Sequence, residues 1–234
     1  MKIGIFSDPH YCTKERIGTS DRYPLRSLDK MKTIVERVRS ENIELLVCLG
    51  DFVNMECSED QDRINIKTAA DVLRECGVRC VCCMGNHDGE VVTRDTFERL
   101  SGFELAPCVI EYENGKQLVF LDANYTSEYK PYERHKVNWK DANVPPEQIE
   151  WLKATLKKGE SIVFIHQNVD KTLDGHHHVK NLDELVEIFK EYGVKTVYQG
   201  HYHYGGDTMT DGIHYITLKA TCVFDEDYFI VTEV

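Results

Sequence analysis

Short apolar runs alternate with amphipathic helical patterns along this chain. Residues 2–7, 44–49 and 78–84 are apolar runs of strand length. Between the first two, Leu25, Leu28, Met31, Val35 and Val38 recur at three- and four-residue steps. That spacing predicts a helix with one face on a core. Ala69, Val72 and Leu73 predict a second helix near 65–76. Alternation of this kind favours a parallel sheet with helices against it. Further on, strands are expected near 108–112 and 117–122, joined by Asn114-Gly115 as a hairpin turn. Pro145-Pro146 opens a helix through Ile149, Trp151, Leu152 and Leu156, since proline is tolerated in a first turn. A strand at 161–165, a helix at 181–192 and a strand at 194–199 repeat the alternation, and 213–218 and 227–233 read as antiparallel strands. With no internal repeat, low-complexity tract or shift in composition, a single domain over residues 1–234 is expected.

Charge narrows the function. The formal net charge is −12, from 40 acidic and 28 basic side chains. Sequence-independent grip on nucleic acid needs many cationic contacts to phosphate, so a nucleic-acid partner is not expected. A polybasic membrane anchor is excluded on the same ground. No apolar stretch approaches the ~20 residues that span a bilayer. Lys2-Ile3-Gly4-Ile5-Phe6 runs directly into Asp8, which leaves no room for a cleavable signal, and a cytoplasmic protein is expected. Nine cysteines at irregular spacing lack the paired C-x-x-C units a zinc site would want, so they read as reduced, structural thiols.

Five runs of polar residues, each trailing an apolar segment, carry the chemistry. They are Asp8-Pro9-His10, Gly50-Asp51-Phe52-Val53-Asn54, Gly85-Asn86-His87-Asp88, the single His166, and Gly200-His201-Tyr202-His203. Ligands at the carboxyl ends of neighbouring strands converge in the crevice of an α/β sheet. Carboxylate, carboxamide and imidazole together suit Mn²⁺, Fe²⁺/Fe³⁺ or Zn²⁺. Asp51 is the natural bridge, because one carboxylate can serve two ions. Asp8, His10 and His203 would complete the first ion, and Asn86, His166 and His201 the second. His87 is left with no ion to bind and could protonate a leaving group, with Asp88 orienting its ring. Paired divalent ions suit attack on phosphate esters by metal-bound hydroxide. They would also add four positive charges at one spot of an acidic molecule and draw phosphate there.

The pattern D-x-H, G-D-x-x-N, G-N-H-D, H, G-H-x-H over residues 8–203 resembles that of the calcineurin-like metallophosphoesterases. The resemblance implies a double β-sheet sandwich flanked by helices. It also implies two divalent ions, manganese favoured, on Asp8, His10, Asp51, Asn86, His166, His201 and His203, with His87 as the acid. Many family members have proline two residues after the isolated histidine, where this chain has Gln167-Asn168. Asn54 stands where purple acid phosphatases carry tyrosine, and Asn54-Met55-Glu56 and Asp88 depart from the protein serine/threonine phosphatases. The run Arg22–Leu28 resembles the branch of manganese-dependent ADP-ribose/CDP-alcohol diphosphatases, although His10 stands where that branch often has glutamine.

The expected activity is therefore hydrolysis of a small phosphodiester or a nucleoside-diphosphate-type ester. Arg22 could clamp a second phosphate. The long loop with Tyr125, Tyr129, Tyr132 and Trp139 offers a stacking platform for a nucleobase, with Tyr129 and Tyr132 the chosen contacts. His176-His177-His178 is read as a solvated loop. A phosphomonoesterase, a nuclease, or a scaffold that kept the fold without catalysis are the alternatives.

Overall fold

In the first strand, β1 (Lys2–Phe6), Ile3 and Ile5 face one way and Phe6 the other, and all three are buried. A strand buried on both faces needs a layer on each side, and that requirement recurs along the chain. The computed structural model describes residues 1–56 and 58–234. After β1 come helix α1 (Ser27–Ser40), β2 (Leu45–Cys48), α2 (Glu59–Arg74), β3 (Arg79–Cys82), α3 (Asn86–Val91), α4 (Arg94–Ser101) and β4 (Glu104–Leu105). Next are β5 (Cys108–Glu111), β6 (Gln117–Phe120), α5 (Pro146–Leu156), β7 (Ser161–Ile165), α6 (Leu182–Glu191) and β8 (Thr196–Gln199). The chain ends with β9 (Tyr204–Thr210), β10 (Ile213–Lys219) and β11 (Phe229–Glu233).

Two sheets result. The first has the order β11-β1-β2-β3-β4 and the second β5-β6-β7-β8-β10-β9. β1 to β4 are mutually parallel, as are β6, β7, β8 and β10, while β11, β5 and β9 run antiparallel at three edges. Ile3, Ile5, Leu45, Val47 and Val81 of the first sheet meet Leu118, Phe120, Phe164, Tyr198 and Leu218 of the second in a central core. Phe164 stacks on Phe120 and on Tyr198, with ring centroids 4.7 and 5.3 Å apart. α1, α2 and α4 cover the outer face of the first sheet through Met31, Ile34, Ile66, Ala69 and Phe97. α5 and α6 cover the second through Ile149, Leu152, Leu185 and Phe189. The architecture is a two-sheet sandwich between helical layers, rather than the single parallel sheet that alternation alone suggests.

Local signals explain most element ends. Asn114 and Gly115 turn the β5–β6 hairpin at φ 58° and 75°, the left-handed values such a turn demands. Ser58 caps α2 by accepting the Gln61 N–H at 3.2 Å, so that helix begins well before its apolar face at 65–76 does. Leu25 is exposed and lies in a 3₁₀ turn ahead of α1, not on its buried face. The eight described cysteines are all free thiols, and Cys57 lies outside the described residues. Among the described residues no helix is long and apolar enough to cross a membrane.

Candidate metal centre

Five parallel strands deliver their carboxyl ends to one end of the sandwich. Asp8 and His10 follow β1, Asp51 follows β2, and Asn86 opens α3 after β3. From the second sheet, His166 follows β7, and His201 and His203 follow β8. The crevice thus straddles two sheets instead of lying within one. Asp8, His10, Asp51 and His201 adopt φ of 52°, 45°, 48° and 65°. Left-handed backbone at a non-glycine residue costs roughly 1–2 kcal/mol, and it is held here by specific bonds. The Asp8 N–H donates to the Gly50 carbonyl at 3.0 Å and the His10 N–H to the Asp51 carbonyl at 2.9 Å. Gly50 permits the close approach. A Cβ there would lie 2.6 Å from the Gly85 nitrogen and 2.7 Å from His166 Nδ1.

The structure gathers six of the seven residues into two adjoining donor groups, and Asn86 borders the same crevice. Asp8, His10, Asp51 and His203 place ligand atoms within 4.8 Å of one another, and Asp51, His166 and His201 do the same. Asp51 belongs to both. His10 Nε2 and His166 Nε2 stand 3.5 and 3.4 Å from Asp51 Oδ2, and His203 Nε2 stands 3.4 Å from Asp8 Oδ1. Asp8 Oδ1, Asn86 Oδ1, His166 Nε2 and His201 Nε2 are buried without a hydrogen-bond partner. Such atoms cost roughly 1–3 kcal/mol each when nothing binds them. Nitrogen and oxygen donors left free in this way fit a pair of divalent ions.

Outer contacts aim the donors. His166 Nδ1 donates to the Leu49 carbonyl at 2.7 Å, which turns Nε2 toward Asp51. Asp8 Oδ2 accepts the His201 N–H at 3.1 Å and the Ser7 hydroxyl, freeing Oδ1. Gln167 and Asn168, the departure from the family's usual proline, are fully buried. Gln167 Nε2 donates to Asn124 Oδ1 and Asn168 Nδ2 to the Gly200 carbonyl, each at 2.8 Å. Asn168 ties the His166 loop to the turn before His201, and Gln167 ties it to the segment after β6.

Without ions the charges compensate internally. Burial would raise Asp51, but His166, His87 and His10 overcome it and hold the carboxyl well below its ordinary range. Burial would lower His166, yet the Asp51 carboxylate pushes it up to about 10. Burial lowers His10 to about 4 and holds His201 well below its usual value, so both keep a free lone pair. A proton on His166 does in part what a cation would do there.

The remaining expected site residues divide. His87 borders the crevice, its ring edge-on to His10 at 4.7 Å, and its backbone N–H donates to Asp51 Oδ1 at 2.8 Å. Asp88 does not orient that ring. Its oxygens accept the Val53 and Gly85 N–H groups at 3.1 and 2.9 Å, which turns it into the interior. Glu90 occupies the expected place, with Oε2 3.4 Å from His87 Nδ1. Arg22 reaches Asn54 Oδ1 at 3.5 Å beside the site. Tyr129 and Tyr132 form no platform at the crevice. Tyr132 is buried against Gly89 with its hydroxyl on the Asn138 carbonyl at 3.2 Å, and Tyr129 sits exposed on a turn away from the donors. Trp139 from the same loop does border the crevice, together with His177, Tyr202, His203 and Tyr204. His177 is therefore no solvated loop residue. Its position depends on the fold of the 168–180 segment against Trp139, which no sequence periodicity encodes.

A sandwich with paired donor groups at one end of its parallel strands defines a metal-dependent phosphoesterase class. The chain belongs to the Calcineurin-like phosphoesterase family, whose sequence model matches residues 1–205. Family membership implies two divalent ions. The fold is similar to that of a dimetal phosphatase from Danio rerio, with a TM-score of 0.83 at 19% identity over 98% of this chain and 91% of that one. A Thermus thermophilus protein matches with a TM-score of 0.64 at 12% identity over 99% and 98%. GAP50, the anchor in the inner membrane complex of Plasmodium, matches at 0.58 and 13% identity over 98% and 76%. These likenesses concern fold alone. No curated protein matches in sequence.

Proposed function

We propose that this protein is a dinuclear phosphoesterase that hydrolyses a small phosphodiester or a nucleoside-diphosphate-type ester. The observation that carries the reading is the membership of Asp51 in both donor groups. Asp8, His10 and His203 would hold one ion with Asp51, and Asn86, His166 and His201 the other, with Mn²⁺ favoured over Fe and Zn²⁺. Divalent ions there would neutralise phosphoryl oxygens and make water a nucleophile near neutral pH. The protein's own part is placement. His87, beside Asp51 and facing the crevice, donates a proton to the departing oxygen. Glu90 holds the ring that does so. The turns around Asp8, His10 and His201 keep the donors rigid, so little reorganisation accompanies the reaction. Free thiols and an acidic surface fit a cytoplasmic setting.

The test is hydrolysis of bis(4-nitrophenyl) phosphate, measured with and without Mn²⁺, for the wild type and Asp51→Asn. Mn²⁺-dependent turnover that vanishes in the variant, along with loss of bound metal by elemental analysis, is expected. Undiminished turnover in Asp51→Asn would remove the shared-carboxylate site from the chemistry.

A further inference from the structure

We propose that Cys76 and Cys80 form a reversible dithiol, which a hydroperoxide oxidises to an intramolecular disulfide. The proposal stands apart from the phosphoesterase reading, because neither metal nor phosphate takes part. Cys76 lies just past the end of α2 and Cys80 near the start of β3, whereas the metal donors follow the carboxyl ends of the strands. The two sulfurs stand 4.0 Å apart. Both face one carbonyl, with the Val78 oxygen 3.9 Å from Cys76 Sγ and 3.6 Å from Cys80 Sγ. The remaining approach to a disulfide bond of about 2 Å falls on the turn between them. Gly77 gives that turn room. It holds φ 76°, and nothing beyond its chain neighbours lies within 4 Å of where a Cβ would stand.

Access and reactivity single out this pair among the described cysteines. Cys80 is half-buried and Cys76 is 7% exposed, whereas Cys12, Cys48, Cys82, Cys83 and Cys222 are at most 3% exposed. Cys108, the other half-buried thiol, is pushed up to about 12, chiefly by burial. At Cys76 the Cys80 thiol donates to the sulfur, and together with the Arg39 guanidinium it outweighs burial and lowers the group to about 6. The same bond, with burial, pushes Cys80 up. Cys76 is thus the nucleophile, and Cys80 keeps its proton until it resolves the product. Thiolate attack on the peroxide forms an S–O bond and breaks the O–O bond; the departing hydroxide or alkoxide takes a proton from solvent. Cys80 Sγ then attacks Cys76 Sγ, the S–S bond forms, the S–O bond breaks, and hydroxide leaves with the Cys80 proton as water. The two sulfurs lose two electrons and the peroxide gains them. A dithiol or glutathione reverses the bond, as befits the transient disulfides of a reducing compartment.

The test treats the reduced, Mn²⁺-loaded protein at high dilution with hydrogen peroxide and maps the thiols. Two of the nine should disappear and return on treatment with dithiothreitol. Tryptic cleavage after Arg74, Arg79 and Arg94 separates residues 75–79 from 80–94, so the bond appears as a cross-linked peptide pair. Fragmentation should place it on Cys80 and not on Cys82 or Cys83. Cys80→Ser should stop at a Cys76 sulfenic acid that dimedone traps, and Cys76→Ser should slow peroxide consumption roughly tenfold or more. A bond to any other cysteine, a link between molecules, or no disulfide at all in the wild type overturns the proposal. So does peroxide consumption that Cys76→Ser leaves unchanged.

Discussion

His87 has two carboxylates near it in sequence, and only one can steer its ring. On a helix, neighbours at i and i+3 share a face while i and i+1 do not. Glu90, three residues on, therefore meets His87, and Asp88 turns inward to two backbone N–H groups. The two acids should separate experimentally. Glu90→Gln should lower kcat roughly tenfold with an unchanged melting temperature. Asp88→Asn should instead destabilise the fold by about 1–3 kcal/mol, read by urea denaturation, because a carboxamide offers an N–H where two N–H groups already point. His87→Ala should retain metal and slow an ester with a poor leaving group roughly 100- to 10,000-fold, while an activated nitrophenyl ester suffers less. Equal losses on both esters would remove the acid role. His166 carries a pH prediction. Its folded value near 10 lies above its ordinary one, so the ion-free protein holds a proton there at neutral pH. An incoming ion must displace that proton. Metal affinity should accordingly fall by up to tenfold per unit as pH drops from about 9 to about 6, with proton release detectable by calorimetry in buffers of different ionisation enthalpy. The donor residues were legible in the sequence because each follows a strand and sits beside a glycine or in a short polar run. Glu90, Trp139 and His177 were not, since what assigns them is which face a short helix or a loop turns to the crevice.

At the level of elements, periodicity located what a core dictates and missed what pairing dictates. The two flanking helices α5 and α6 and the buried strands β1, β2, β6, β7 and β8 declare themselves through runs of apolar residues. β9 does not, because Tyr-Gly-Gly-Asp-Thr-Met-Thr reads as a loop and becomes a strand only by pairing with β10. α3 and α4 are too short for a helical period to emerge from their sequence. The Gln167-Asn168 segment shows the same dependence on tertiary context. Asn168 joins the end of β7 to the turn after β8 through the Gly200 carbonyl. Asn168→Ala should remove one of the two N–H groups that carbonyl accepts, the Tyr202 N–H at 2.7 Å remaining, and cost about 0.5–1.5 kcal/mol. Because His166 and His201 hang on the two joined turns, Mn²⁺ affinity should fall as well. A variant that loses stability yet binds Mn²⁺ as tightly as the wild type would show that the link supports the fold and not the donors.

For the whole molecule, the site sets two requirements against each other. The central core between the sheets places five turns of buried carboxylates and imidazoles at one point, in a chain whose net charge is already −12. Without ions, only protons on the histidines offset Asp8 and Asp51 there, and four buried donor atoms stay unpaired. Ions that bind the folded chain and not the unfolded one stabilise it by mass action, about 4 kcal/mol at a thousandfold excess over Kd. For a chain of this size that corresponds to a fall in Tm of roughly 10 °C on chelation, reversed by Mn²⁺. The strands meeting at the site come from both sheets, so the loss should appear as one cooperative shift of the entire transition and not as melting of one half. Asp51→Asn should start from a different Tm and respond little to either chelator or Mn²⁺, because the group common to both donor sets is gone. If the wild type and Asp51→Asn shift equally when Mn²⁺ is added, the ions that stabilise the protein are bound somewhere other than this crevice.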